Sequence, residues 1–136
     1  MNFFYEVSIP SGREQILPFE QVLPLSYGII SRMEITIPSG AGGKSHLQLF
    51  YHDFQLYPLS RGEDYHGDDS VISFSDTFFM ESSPFQLKAR GWNTDTHYKH
   101  AFLVSIEVLK PEQLPADTTV LGIGDLSELI GTGFEV

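Results

Sequence analysis

Hydrophobic and polar residues alternate along several short stretches of this chain. The phrase EVSIPSG at residues 6–12 returns as EITIPSG at residues 34–40. Alternation gives a strand one apolar face and one polar face. Proline cannot donate to a sheet and Ser-Gly favours a turn, so both copies predict a strand that ends at the same point. The repeated phrase therefore indicates short, half-buried β-strands.

Similar alternating segments follow along the chain up to Lys110, and none has the period of 3.6 that is typical of a helix. A short strand is predicted near residues 20–23. Phe54 and Leu56 either continue the preceding strand past a bulge or begin a new one. Two separate short strands are predicted at residues 72–74 and 78–80. The apolar rows predicted to form the core are Phe3, Tyr5, Val7 and Ile9; Ile29, Met33, Ile35 and Ile37; Leu47, Leu49 and Tyr51; Phe85 and Leu87; and Phe102, Val104, Ile106 and Val108.

Seven or eight short strands separated by turn signals predict an all-β domain, an antiparallel β-sandwich with jelly-roll topology. We expect residues 1–110 to form this single domain. Leu103 and Leu109 lie on the nominally outer face of the last strand, which predicts that the tail or another subunit covers that face.

Composition changes after Lys110, and we expect residues 111–136 to form an acidic C-terminal arm. The sequence Asp-Leu-Ser-Glu at 125–128 fits a capping box, and Gly131 is suited to end a helix of one or two turns. The alternative is that residues 111–136 fold back over the outer face of the last strand of the same chain. The apolar residues proposed for assembly contacts are Val120, Leu121, Ile123, Leu126 and Ile130.

Charge and composition exclude several classes of function. The 136 residues carry a formal net charge of −10, which argues against binding to nucleic-acid phosphates. The chain has no cysteine, so disulfides, thiol catalysis and cysteine-based zinc sites are excluded. We expect no membrane-spanning helix and no secretion signal.

Two loops carry residues with possible binding chemistry. The segment GAGGKS at 40–45 ends like a phosphate-binding loop, but Pro38 occupies the position of the first glycine. The next segment alternates like a strand, whereas a phosphate-binding loop opens a helix, so we expect a hairpin loop. The acidic loop at 63–69 offers oxygen ligands for calcium, or is simply solvated.

The sequence gives no pattern for catalysis or for metal binding. Its histidines are scattered and lack the spacing of a metalloprotease helix, and Gly-x-Ser-x-Gly does not occur. No pair of carboxylates stands out for glycoside hydrolysis. We therefore predict a non-enzymatic protein with no cofactor and no metal, while a small hydrolase with an unrecognised site remains a third possibility.

Aromatic residues that are predicted to be exposed, at strand ends or in loops, are the best clue to binding. Trp92, Tyr57 and Tyr65 would stack on sugars in a carbohydrate-binding module, or serve as anchors in a protein interface. The structural alternative is that Trp92 only caps the sandwich core.

Four segments resemble a group of small β-sandwich proteins encoded in bacteriophage genomes and related mobile elements. These are GIISRMEITIPSG at 28–40, FQLYP at 54–58, SPFQLK at 83–88 and GWN at 91–93. The likeness covers roughly residues 28–108 and supplies no active-site residues. It implies a virion component made in the host cytoplasm, such as a capsid decoration, tail or neck protein, whose partners are other virion proteins or copies of itself. The alternative function is a sandwich module that binds glycans.

Overall fold

The computed structural model describes residues 1–113. The helix predicted at 125–131 and the proposed arm residues Val120, Leu121, Ile123, Leu126 and Ile130 lie outside the described residues. Eight strands are followed by a single 3₁₀ turn at Pro111–Gln113. The strands are β1 Asn2–Ile9, β2 Phe19–Pro24, β3 Gly28–Ile37, β4 Ser45–Tyr51, β5 Phe54–Tyr57, β6 Ser70–Met80, β7 Gln86–Asn93 and β8 His100–Leu109.

The strands form two four-stranded antiparallel sheets. The first sheet has the order β1-β8-β3-β6, and the second sheet has the order β2-β7-β4-β5. The two sheets share one hydrophobic core in a sandwich-like arrangement. The prediction of an all-β, two-sheet antiparallel protein is therefore confirmed.

Alternation along the strands fills that core from both sides. Val7 and Ile9 of β1 and Leu47 and Leu49 of β4 are all fully buried. Each strand turns every second side chain inward, so the apolar rows from the two sheets meet between them. The remaining predicted rows are buried as well, while Phe3, Tyr5 and Phe85 are partly buried against the core.

Strand β6 corrects the sequence-based prediction of two short strands. Residues 70–80 form one continuous strand of 11 residues, and its pairing with β3 shifts register between Ile30 and Arg32. The polar residues Asp76 and Thr77 suggested a break in the sequence, but the β-bulge accommodates them. Phe54 and Leu56 begin a new strand, β5, and do not continue β4 past a bulge. The turn between the two strands contains His52, which has a positive φ of 54°.

The outer face of the first sheet carries exposed apolar side chains. Leu103 of β8, Thr36 of β3 and Val71 of β6 form one cross-strand row. Leu103 is 45% exposed and Val71 is 57% exposed. The expected cover over Leu103 is therefore not supplied by residues 1–113. Within this same range, no helix has the length and hydrophobicity needed to cross a membrane.

Candidate functional site

The connection between β5 and β6 folds back along β4 at the edge of the second sheet. The Leu47 N–H donates to the Tyr65 carbonyl at 2.9 Å, and the Tyr65 N–H donates to the Leu47 carbonyl at 2.8 Å. Both residues of this bridge point toward the core. Because side chains alternate in such a pair, the neighbours Asp64, His66 and His46 all point outward together.

These three outward residues, which we call the histidine cluster, meet at one carboxylate oxygen. The Nδ1 atom of His46 lies 2.7 Å from Asp64 Oδ1, and the Nδ1 atom of His66 lies 2.8 Å from the same oxygen. The side chains of His46 and Asp64 are 21% and 17% exposed, whereas that of His66 is 54% exposed. Each residue offers one atom that could bind a metal ion, and these three atoms lie within 4.8 Å of one another. The cluster is thus half-buried, with its open side at His66.

Trp92 stacks on the face of the His46 imidazole ring. It faces His46 across the β4–β7 pair, and the two rings stack with centroids 5.2 Å apart and an interplanar angle of 12°. Trp92 is only 6% exposed. A nearly parallel stack on a buried indole restricts the tilt of the His46 ring, so its Nδ1 atom stays directed at Asp64.

Two glutamines fasten the segment that carries Asp64. The Gln48 and Gln55 side chains each donate from Nε2 to the Glu63 carbonyl at 3.0 Å. Gln55 also accepts the Gly62 N–H at 3.0 Å through Oε1. These bonds, together with the Leu47–Tyr65 bridge, hold residues 62–66 against the second sheet on both sides of Asp64.

The glycine-rich loop at 40–45 contacts the acidic segment instead of forming a hairpin. The prediction of a hairpin is wrong, because β3 belongs to the first sheet and β4 to the second. The backbone N–H groups of Gly40 and Gly42 donate to Asp68 Oδ1 at 2.8 and 3.0 Å. The bond from Gly42 and then the bond from Gly40 lower the pKa of Asp68. The loop therefore holds an anion, and that anion is a carboxylate of this chain.

Asp95 forms a second polar centre in the connection between β7 and β8. Its Oδ1 accepts the N–H groups of His97 at 2.9 Å and Tyr98 at 3.2 Å, while its Oδ2 lies 2.9 Å from His100 Nε2. The His97 N–H contributes most to lowering the pKa of Asp95, and the His100 side chain follows. All of these partners are within six residues, so this carboxylate ties its own loop together.

The three aromatic residues predicted for binding do not form one exposed surface. Trp92 is 6% exposed and Tyr57 is 2% exposed, so the prediction that these rings are exposed is wrong for both. Trp92 lies on the outer face of the second sheet and is outside the shared core, so it does not cap that core. Tyr65 is partly buried, and burial raises the pKa of its hydroxyl to about 12.

Sequence reasoning missed the histidine cluster because it compared histidines only with one another. The informative signal is Asp64-x-His66, an alternate spacing that puts both side chains on one face of an extended segment. The third member, His46, is brought in by a bridge between a strand and a loop that alternation does not reveal. No protein-family model matches the chain, and no curated protein is significantly similar to it.

Proposed function

We propose that this protein is a non-enzymatic structural subunit that associates with copies of itself through the edge strand β6. The observation that carries the proposal is the composition of this edge. Strand β6 is 11 residues long and forms the outer edge of the first sheet, yet Asp76 is its only charged residue. Free backbone groups along such an edge are available to pair with another strand.

The other edges carry the features that protect natural sheets from pairing. Strand β2 has six residues and ends in Pro24, and β5 has only four residues and is followed by Pro58. Strand β1 has eight residues and an exposed Glu6. Short length, proline and charge each oppose edge-to-edge association. Among the four edges, β6 is the longest and has no proline, and its one charged residue, Asp76, is partly buried at the bulge and bonded to Tyr57.

The side chains of β6 suit a two-fold contact between identical strands. Val71, Ser73 and Ser75 alternate on its outer face and are all exposed. In an antiparallel pair of two β6 strands, these residues bring no like charges opposite one another. Such a contact is isologous and joins the first sheets of two subunits into one continuous sheet. The exposed Leu103 in the row of Val71 extends the apolar surface beside it.

We also propose that the sandwich has jelly-roll topology. The antiparallel pairs include β1 with β8, β2 with β7, β3 with β6 and β4 with β5. This nested pairing, divided over two four-stranded sheets, supports a folded-over double ribbon of eight strands. Jelly rolls occur in viral capsid proteins. The resemblance to phage-encoded sandwiches supports the same assignment, a virion component whose further partners are other virion proteins.

Sedimentation velocity on the full 136-residue chain tests the proposal. We expect a concentration-dependent dimer in the wild type and a monomer in the variant Val71→Lys/Ser73→Lys. Ser73 lies opposite Glu34 in the β3–β6 pair, which gives the added lysine an acidic partner in place of the hydrogen bond that Ser73 accepts from Arg32. Lysine at an edge blocks pairing.

The matched control is Ile16→Lys/Leu17→Lys, which replaces two side chains that are 81% and 70% exposed in the loop before β2. It changes the net charge by the same amount, so both variants carry −8 instead of the −10 of the wild type. The control is expected to dimerise. A wild type that stays monomeric as concentration rises, or equal dimerisation of both variants, would contradict the proposal.

A further inference from the structure

We propose that His46, Asp64 and His66 bind a divalent first-row transition-metal ion, with Zn²⁺ as the preferred probe. Two imidazole nitrogens and one carboxylate oxygen are a common set of protein ligands for zinc and for non-haem iron. Calcium is a poorer match, because it requires six to eight oxygen ligands. The inference is independent of the assembly proposal, because the cluster lies on the second sheet and β6 lies in the first.

The distances in the cluster are close to those that an ion needs. With bonds of about 2.0–2.1 Å, the ligand atoms of a tetrahedral zinc site lie about 3.3 Å apart. The two Nδ1–Oδ1 separations are 2.7 and 2.8 Å, and the three donors lie within 4.8 Å of one another. Binding therefore requires each imidazole nitrogen to move about half an ångström away from the carboxylate oxygen, and the two nitrogens, which lie within 4.8 Å, to approach one another. His66 is 54% exposed and has room for this adjustment.

The backbone holds the ligands in place before any ion arrives. His46 belongs to β4, and the double hydrogen bond between Leu47 and Tyr65 fixes the segment of the other two ligands beside it. Trp92 stacks on His46 and orients its ring. A site whose ligands are already oriented loses little conformational entropy when it binds. This is a supported arrangement rather than a chance meeting of mobile surface side chains.

Proton exchange explains how an ion replaces the contacts now present. A single oxygen of Asp64 faces the Nδ1 atoms of both histidines. When Zn²⁺ binds, each neutral imidazole presents the lone pair of Nδ1, and any proton on that nitrogen moves to Nε2 or to solvent. The three protein ligands leave a coordination position for water on the exposed side of His66. The bound ion would then join β4 to the β5–β6 connection.

Isothermal titration calorimetry with Zn²⁺ on the full chain tests the site, using protein without an oligohistidine tag. We expect one ion per chain with a micromolar or lower Kd, and a rise in Tm of several degrees at saturating zinc. Titration with Co²⁺ should give visible absorption bands of the intensity typical of four-coordinate cobalt.

The variant His66→Ala removes a ligand that is largely exposed, so the fold should be retained. We expect it to weaken zinc binding by more than about 100-fold. Loss of a residue that only hydrogen-bonds to a metal ligand costs about 10- to 100-fold, so the loss of a ligand itself should exceed that range. His97→Ala is the control, because it removes an exposed histidine whose ring contacts its chain neighbours Thr96 and Tyr98 and lies in a different loop. Absence of saturable binding by the wild type, or equal weakening in both variants, would overturn the proposal.

Discussion

The hydrogen bond between Tyr57 and Asp76 joins the two sheets, and its removal is expected to lower the free energy of unfolding measurably. Tyr57 ends β5 in the second sheet, and its hydroxyl donates to Asp76 Oδ2 on β6 in the first sheet at 2.6 Å. The tyrosine is 2% exposed. Burial, followed by the bond to Asp76, raises the pKa of Tyr57, so the hydroxyl stays protonated and remains a donor.

Tyr57→Phe isolates the contribution of the hydroxyl. The phenyl ring keeps its burial and its edge contact with Phe74, whose centroid lies 5.1 Å away. After the substitution, Asp76 keeps the hydrogen bond that its Oδ1 accepts from the Thr77 N–H at 2.7 Å. A hydrogen bond to a charged group contributes about 1.5–3 kcal/mol, so we expect a loss of about 2 kcal/mol in the free energy of unfolding.

Urea denaturation followed by tryptophan fluorescence measures this loss, with an unchanged m-value as the sign that the native state is intact. Tyr98→Phe is the matched control, because Tyr98 is 70% exposed. We expect it to change stability by less than about 0.5 kcal/mol. A double-mutant cycle of Tyr57→Phe with Asp76→Asn should give a coupling energy of about 1 kcal/mol or more. A coupling near zero would refute the assignment of the effect to this bond.

Two further predictions concern packing and pH. In Gly91→Ala the added Cβ would meet Ile9 Cδ1 and lie 2.8 Å from the His46 carbonyl oxygen. We expect a loss of about 1–3 kcal/mol in calorimetry, and full wild-type stability would contradict this close packing. Asp95 has a lowered pKa, chiefly through the His97 N–H, so its contribution is present above the ordinary value of 3.8 and is lost as pH falls below it. The Tm of the wild type should therefore fall more steeply with acidification than that of Asp95→Asn, and parallel curves would contradict this.

The sequence predicted the strands well because one physical cause governs them. A strand buried on one face must alternate, and rows such as Phe102, Val104 and Ile106 alternate without interruption. The prediction of β6 was wrong because its polar residues at 75–77 interrupt the pattern. There a bulge and a side-chain bond to Asp76 stabilise a continuous strand. The bulge and the hydrogen bond both depend on residues that are distant in sequence, so the local alternation of polar and apolar residues does not predict them.

The candidate sites were harder to predict, because they depend on pairing between elements. Trp92 was expected at an exposed position, since the Gly91 before it and the turn-like residues after it suggested a strand end. Trp92 does lie next to the end of β7, but there the neighbouring β4 supplies His46 as its stacking partner and the ring is buried. The sequence alone does not say which strands are neighbours, and β4 and β7 are separated by two other strands along the chain. Exposure therefore could not be inferred from local turn signals.

The acidic loop shows how charge used within a fold differs from charge presented to a partner. Its negative residues suggested a solvated loop or a calcium site, yet Asp64 faces two histidines and Asp68 accepts backbone N–H groups of the glycine-rich loop. Two carboxylates thus fix the β5–β6 connection at separate points, to β4 and to the loop before it. Loss of Asp68 should loosen that loop without removing a proposed metal ligand. We therefore expect zinc affinity to fall less in Asp68→Asn, which loses only an anchor of the segment, than in His66→Ala, which loses a ligand. Equal losses in the two variants would contradict this distinction.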